Sequence, residues 1–134
     1  MAVALAFKNG LCMEAINYYC DIFDLEYPEK LIRYKDFEKF NYPPEIRDRI
    51  YNSYLEIYGN RVYLYDVTND ETYVKGNNLR IVIETDSDNL YRAYINFEKD
   101  STVKSEPQRI NTKLFTSFVD RYGISWQFIA EIKD

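Results

Sequence analysis

The chain contains no histidine, and its 134 residues include only four glycines, four prolines, two cysteines and one tryptophan. Without imidazole, nucleophilic triads of the usual kind are excluded and a cysteine nucleophile lacks its common base. With glycines only at positions 10, 59, 76 and 123, no glycine-rich loop exists to wrap a nucleotide pyrophosphate. The cysteines, Cys12 and Cys20, lie eight residues apart in a segment that reads as helix. A helix separates them by roughly 12 Å, whereas a disulfide needs Cα atoms within about 7 Å. They are therefore expected as buried or half-buried thiols. The opening Met1 to Phe7 is apolar but has no basic residues before it, and Lys8-Asn9-Gly10 ends it too early for a signal peptide or membrane span. A cytoplasmic protein without a membrane partner is the expectation.

Positive charge is also in short supply. Seventeen Lys and Arg stand against 22 Asp and Glu, a net charge of -5 with a pI near 4.8. The densest basic group, Lys30, Arg33 and Lys35, is interleaved with Glu26, Glu29 and Asp36. Such a surface repels a phosphate backbone, so nucleic acid is not expected as a partner. What is abundant is aromatic area: 14 Tyr, 8 Phe and 1 Trp make up 17% of the chain. That much ring surface must pack inside or line a concavity. With 46% hydrophobic and 29% charged residues, the chain is the size and composition of one ordinary globular domain, able to bury a core without disulfides or a structural metal.

Val3, Leu5 and Phe7 alternate with Ala2, Ala4 and Ala6, which predicts a strand with one face on a helix and small residues on the other. Asn9 is the expected cap of a following helix, whose buried stripe is Cys12, Ile16, Tyr19 and Phe23. A short strand over 30–35, a loop at Pro43-Pro44 and a helical turn over 45–49 come next. A hairpin follows, 51–58 and 61–67, turning at Gly59-Asn60. Residues 68–78 form the most polar connection. The plan then repeats: a strand with Leu79, Ile81 and Ile83, cap chemistry at Asp86, and a stripe of Leu90, Ala93, Tyr94 and Phe97. A turn and short strand over 100–106 and strands over 113–120 and 125–132 complete it. Both halves end alike, Tyr58-Gly59 and Tyr122-Gly123 each preceding a strand of large residues, which supports a duplicated unit of strand, helix and three strands. The predicted fold class is α+β, a single domain of two βαβββ modules spanning about 1–67 and 79–134.

The run from Phe7-Lys8-Asn9-Gly10-Leu11 to Tyr19, with Phe23 beyond it, resembles the opening of the glyoxalase, bleomycin-resistance and extradiol-dioxygenase superfamily, the vicinal oxygen chelate proteins. The nearest likeness is to the PhnB-like branch, often labelled demethylubiquinone methyltransferase-like. Val119-Asp120-Arg121-Tyr122-Gly123-Ile124-Ser125-Trp126-Gln127 is similar to that group's closing Asp-Pro-Phe-Gly-x-x-Trp motif, and 51–66 resembles its third and fourth strands. The resemblance implies half-open curved mixed sheets and a cup completed in a homodimer. It also implies a divalent metal held by His, Glu or Gln from first and last strands. Carried onto this chain, the ligand positions fall at Ala4, Tyr63 and Gln127, with a fourth among Leu79, Arg80 and Ile81, and the histidine that often opens the third strand falls near Asn52. Alanine offers no donor atom, and neutral Tyr and Gln are weak ligands, so no metal or other cofactor is expected. The methyltransferase label meets no nucleotide loop.

Carboxylates remain as candidates for acid-base chemistry: Glu56, Asp66, Glu84, Asp120 and Glu131 lie in or beside predicted strands, and Asp66 ends the strand expected to line the cup. If Gln127 points inward, period two places Ser125 and Ile129 with it and sends Trp126 and Phe128 to the helices; likewise Tyr63 and Tyr65 face in. The predicted lining is thus Ala4, Ala6, Asn52, Tyr63, Tyr65, Asp66, Ser125 and Gln127, suited to a small apolar or aromatic molecule. Three functions stay open: a metal-free binding or sequestering module, a divergent lyase, isomerase or dioxygenase that recruits a divalent metal, and a structural or interaction protein whose cup is filled.

Overall fold

In the computed structural model, residues 1–37 and 39–132 are described, so residues 133 and 134, which the sequence assigns to the end of the second module, lie outside the described residues. The chain divides into two compact units, Met1–Lys75 and Gly76–Asp134.

The first unit runs β1 (Val3–Phe7), α1 (Cys12–Phe23), β2 (Ile32–Arg33), a 3-10 turn at Tyr34–Asp36, α2 (Pro44–Arg47), β3 (Ile50–Ile57), β4 (Asn60–Asp66) and a second 3-10 turn at Asp70–Thr72. The second runs β5 (Ile81–Thr85), α3 (Ser87–Glu98), β6 (Thr102–Ile110), β7 (Lys113–Val119) and β8 (Ser125–Glu131). Their sheets have the same connectivity, β1-β4-β3-β2 and β5-β8-β7-β6, with the first strand parallel to the last and the other pairs antiparallel. A parallel pair needs a crossover, and in each unit the helix begins that crossover. The duplicated βαβββ topology is therefore present, as two four-stranded mixed sheets.

Each sheet buries one face under its helix. In the first unit Cys12, Ala15, Ile16, Tyr19 and Phe23 of α1 are buried together with Leu5, Phe7, Leu55, Ile57, Val62 and Leu64 of the strands. In the second, Leu90, Ala93 and Phe97 of α3 join Ile81, Ile83, Leu114, Phe118, Trp126 and Phe128. Here the aromatics pack as a layer: Phe97 lies 4.6 Å from Phe118 and 5.6 Å from Trp126, and Phe128 stacks on Phe118 and Trp126 at 5.8 and 6.0 Å between centroids. Among the described residues no helix is long and apolar enough to cross a membrane. Both cysteines are free and buried, and burial pushes the Cys12 thiol far above its ordinary range, which keeps it unreactive.

Several local expectations are corrected. Asn9 does not cap α1: it sits in the left-handed region at φ 58°, and its N–H donates to Asp70 Oδ1 at 2.8 Å. The helix start is held from across the chain, where the Cys12 N–H donates to Asp66 Oδ1 at 2.9 Å and the Ile50 N–H to Asp66 Oδ2 at 2.9 Å. The first hairpin turns at Tyr58-Gly59 rather than Gly59-Asn60, with φ 49° and 85°. Those angles suit the mirror-image turn that matches strand twist. The strand expected over 30–35 shrinks to Ile32–Arg33, because Asp36 Oδ2 accepts the Arg33 N–H and closes a 3-10 turn. Leu79 lies outside β5 and is exposed, and Tyr94 is only half-buried. Strand β6 runs on to Ile110 through Pro107, since it is an edge strand and its register shifts between Ser105 and Gln108.

The buried carboxylate of Asp66 is the joint between α1, β3 and β4. Burial pushes its pKa above the ordinary range, against the opposing pull of the Ile50 and Cys12 N–H donors and of Arg49. The folded carboxyl therefore holds its proton more tightly than the unfolded chain does. This contribution to stability is complete below the unfolded value of about 3.9 and is lost as pH rises through the folded value. Asp66→Asn, with one acceptor oxygen for two donors, is expected to cost about 1–3 kcal/mol at neutral pH and to flatten that pH dependence. Thermal denaturation of both proteins from pH 3.5 to pH 7.5 checks it.

Candidate functional site

The face of the first sheet away from α1 follows from register. Ala4 lies beside Tyr63 and Ala6 beside Tyr65, while Tyr54 stands across from Tyr63 and Glu56 across from Arg61. Since Leu5, Phe7, Val62, Leu64 and Leu55 face the core, period two sends their neighbours to the opposite side. Two alanines thus form a shallow floor beside a row of tyrosines. The Tyr54 and Tyr63 rings lie 5.8 Å apart, and the Arg61 guanidinium lies 4.2 Å over the Tyr54 ring. Arg61 Nε donates to Glu56 Oε1 at 2.8 Å. Hydrogen bonding with Tyr63, and then with Glu56, pushes the Arg61 pKa further up, so it stays a cation at any working pH. Asn52, half-buried, is paired with Ile32 at the β2 border of this face.

In the second sheet Val82 lies beside Gln127 and Glu84 beside Ile129, with Ser117 across from Gln127 and Val119 across from Ser125. Ser125, Gln127 and Ile129 are half-buried, while Trp126, Phe128 and Ala130 are in the core. The first-strand position equivalent to Ala4 is therefore Val82, and not Leu79, Arg80 or Ile81. β5 begins only at Ile81, whose side chain is buried on the helix side.

Asp66 is corrected as a lining residue. It follows Leu64 at period two, so its carboxylate is buried on the helix side, where its two oxygens accept from the Cys12 and Ile50 amides, and its carbonyl accepts the Tyr34 hydroxyl at 2.7 Å. Asp120 is likewise a structural acid. Its Oδ1 accepts the N–H groups of Tyr122 and Ile124 at 2.9 and 3.0 Å, and its Oδ2 accepts the Trp126 indole N–H at 2.9 Å. The Asp…Gly-x-x-Trp spacing is thus a turn clamped by one carboxylate that also fixes the orientation of a core ring. Of the other carboxylates, Glu56 pairs with Arg61, Glu131 lies 3.7 Å from Lys113, and Glu84 is exposed.

The donor set at the first-strand and last-strand positions is Ala4 and Tyr63 in one sheet, Val82 and Gln127 in the other. Each sheet thus offers one hydrocarbon side chain beside one neutral donor, a phenol in the first and an amide in the second, and both are weak ligands for a divalent cation. Among the described residues no three His, Cys, Asp or Glu side chains are grouped to hold one.

No described protein family and no curated protein matches the sequence. Solved structures do match. The chain is similar to protein PA1353 from Pseudomonas aeruginosa, at 22% identity and TM-score 0.76, over 99% of this chain and 98% of that one. It is similar to a PhnB protein from Bacillus cereus at 17% identity and TM-score 0.72, over 97% and 98% of the two chains. The chain has the glyoxalase/bleomycin-resistance fold. A third structure of this fold, a point mutant of the fosfomycin resistance protein FosX from Listeria monocytogenes, was solved with Mn(II) and 1S,2S-dihydroxypropylphosphonic acid. It matches at 13% identity and TM-score 0.63, over 98% of this chain and 90% of that one.

Sequence reasoning missed Tyr54 and Arg61 on the tyrosine face and named Glu56 only as a candidate carboxylate. The signal was available: once the hairpin turns at Tyr58-Gly59, Tyr54 must oppose Tyr63. Arg61 and Glu56 sit in solvent as a screened surface pair. Arg61→Ala is therefore expected to leave the thermal midpoint in place while freeing the Tyr54 ring, a change that near-ultraviolet circular dichroism of the tyrosine band reads.

Proposed function

We propose that this protein is a small-molecule binding or sequestering module that works without a resident metal and takes a planar, largely apolar ligand on the Ala4, Ala6, Tyr54, Tyr63 and Tyr65 face. The observation that carries the reading is the pairing of small with aromatic residues in register, Ala4 with Tyr63 and Ala6 with Tyr65. Alanine leaves room above the sheet, and the neighbouring rings offer stacking area with hydroxyl groups at their tips. The equivalent face of the second unit, taken by itself, carries Ser125 and Gln127, both half-buried. Absence of strong donors at Ala4 and Val82 supports binding over Lewis-acid chemistry. The protein is read as cytoplasmic and as a homodimer, and its aromatic load supports the dimer alone.

A divergent metal-dependent lyase, isomerase or dioxygenase is the second reading, favoured by the Mn(II) held by FosX on the same fold. Stoichiometric Mn, Zn, Ni or Fe in the purified protein after metal loading decides for the enzyme.

A ligand that binds only the folded state raises its stability, by about 2.7 kcal/mol at a hundredfold excess over Kd. A thermal-shift screen with planar aromatic and dicarbonyl compounds is expected to return hits that Ala4→Leu abolishes, because the added branch fills the floor beside Tyr63 while Ala4 itself is exposed. A screen without hits favours the third reading, a structural or interaction protein whose cup is filled. Light scattering at micromolar concentration is expected to return twice the 16.1 kDa chain mass, and a monomer mass removes the dimer.

A further inference from the structure

The outer edge of β3 is uncovered where an edge strand would normally lie. A two-residue loop, Tyr58-Gly59, closes the hairpin, so Ile57 and Asn60 exchange both of their backbone hydrogen bonds. Alternation then directs the N–H and C=O of Ile57, Leu55 and Ser53 to β4, and those of Glu56 and Tyr54 outward. Strand β2 covers only Ile50 and Asn52 of this edge. Among the described residues no backbone group takes up the outward N–H and C=O of Tyr54 and Glu56.

An open groove of about 480 Å³ lies against this edge, with Tyr54 and Glu56 on one side and Glu26, Pro28 and Glu29 of the connection after α1 on the other. Glu56 is neutralised by Arg61. Lys30 alone offsets Glu26 and Glu29 in the lining, so the groove is acidic. Apolar surface from Leu25 and Leu55 completes it.

We propose that this edge binds an extended, lysine- or arginine-bearing segment of another protein as an added strand. The Tyr54 and Glu56 backbone would supply the ladder, and the acidic wall would select basic side chains on alternate residues. Charge decides against a second copy of this chain, because two such edges face to face would bring Glu26 and Glu29 against their own counterparts. The two sites share Tyr54, whose ring belongs to the alanine and tyrosine face and whose backbone belongs to this edge, but the edge proposal does not rest on the ligand reading.

The test titrates the full chain into a dye-labelled, capped hexapeptide of alternating lysine and valine, read by fluorescence anisotropy. Expected are saturable binding, loss of at least about tenfold with glutamate in place of lysine, and loss of similar size when one alternating set of amides is N-methylated but not the other. A strand turns only every second N–H to its neighbour. Glu56→Pro removes the outward N–H without touching the bonds to β4 and is expected to abolish binding, whereas Glu56→Ala keeps it; equal melting points for the two variants establish that both fold. The combined Glu26→Lys and Glu29→Lys variant is expected to prefer the glutamate peptide. The proposal is overturned by no saturable binding below millimolar peptide, by equal binding of both N-methylated peptides, by unaltered binding to a folded Glu56→Pro protein, or by self-association that Glu56→Pro removes.

Discussion

One-sided burial governs this molecule. Each sheet has a single amphipathic helix on one face, so every strand residue is assigned to core or to open surface by parity alone, and the parallel first and last strands fix which parities meet. Shifting β1 by one residue against β4 would put Leu5 and Phe7 on the open face and the alanines under the helix. The depth of the core at Leu64, Val62 and Ile57, all at most 1% exposed, makes that shift prohibitive. The alanine floor and the tyrosine row are by-products of this packing requirement, and they are positioned as rigidly as the core that excludes them.

Two buried carboxylates hold the loops that the sheets leave over. Asp66 ties the start of α1 to β3, and Asp120 ties its own turn to the Trp126 indole. Both acids would be attractive as catalytic groups from sequence, since they end strands near the expected cup. In each case both carboxylate oxygens accept from backbone or indole donors, and buried donors left without them would be costly. A third tie, Arg49 with Asp70, fastens the polar connection after β4 to the same corner. Arg49 Nη1 also donates to the Val67 carbonyl, and this pairing lowers the Asp70 pKa below the usual carboxylate range.

Most of the architecture was legible because its signals are local and periodic. The stripes of α1 and α3, the Asp86 cap and the hairpins all follow from spacing and turn chemistry within a few residues. What escaped was decided at long range. Asn9 looked like a cap because the true acceptor, Asp66, lies 54 residues from Cys12. The short strand expected over 100–106 falls short of β6, because the edge position that admits Pro107 cannot be recognised before the sheet order is known. The facing of strand residues was legible wherever parity could be carried from a neighbour, as for Tyr63, Tyr65, Ser125 and Gln127. It failed at Asp66, where parity was not applied, and at Val82, where the strand start was placed two residues early.

The halves of the duplicated unit have diverged in where they keep their rings: the second packs Phe97, Phe118, Trp126 and Phe128 under its helix, while the first also displays Tyr54 and Tyr63 on its open side. The lone indole is 1% exposed and hydrogen-bonded to Asp120. The only tryptophan therefore lies in the second half, and 11 of the 14 tyrosines lie in the first. Indole emission reports the integrity of the second half alone, and phenol absorbance is weighted to the first, so the order in which the two come apart is readable from the unlabelled protein.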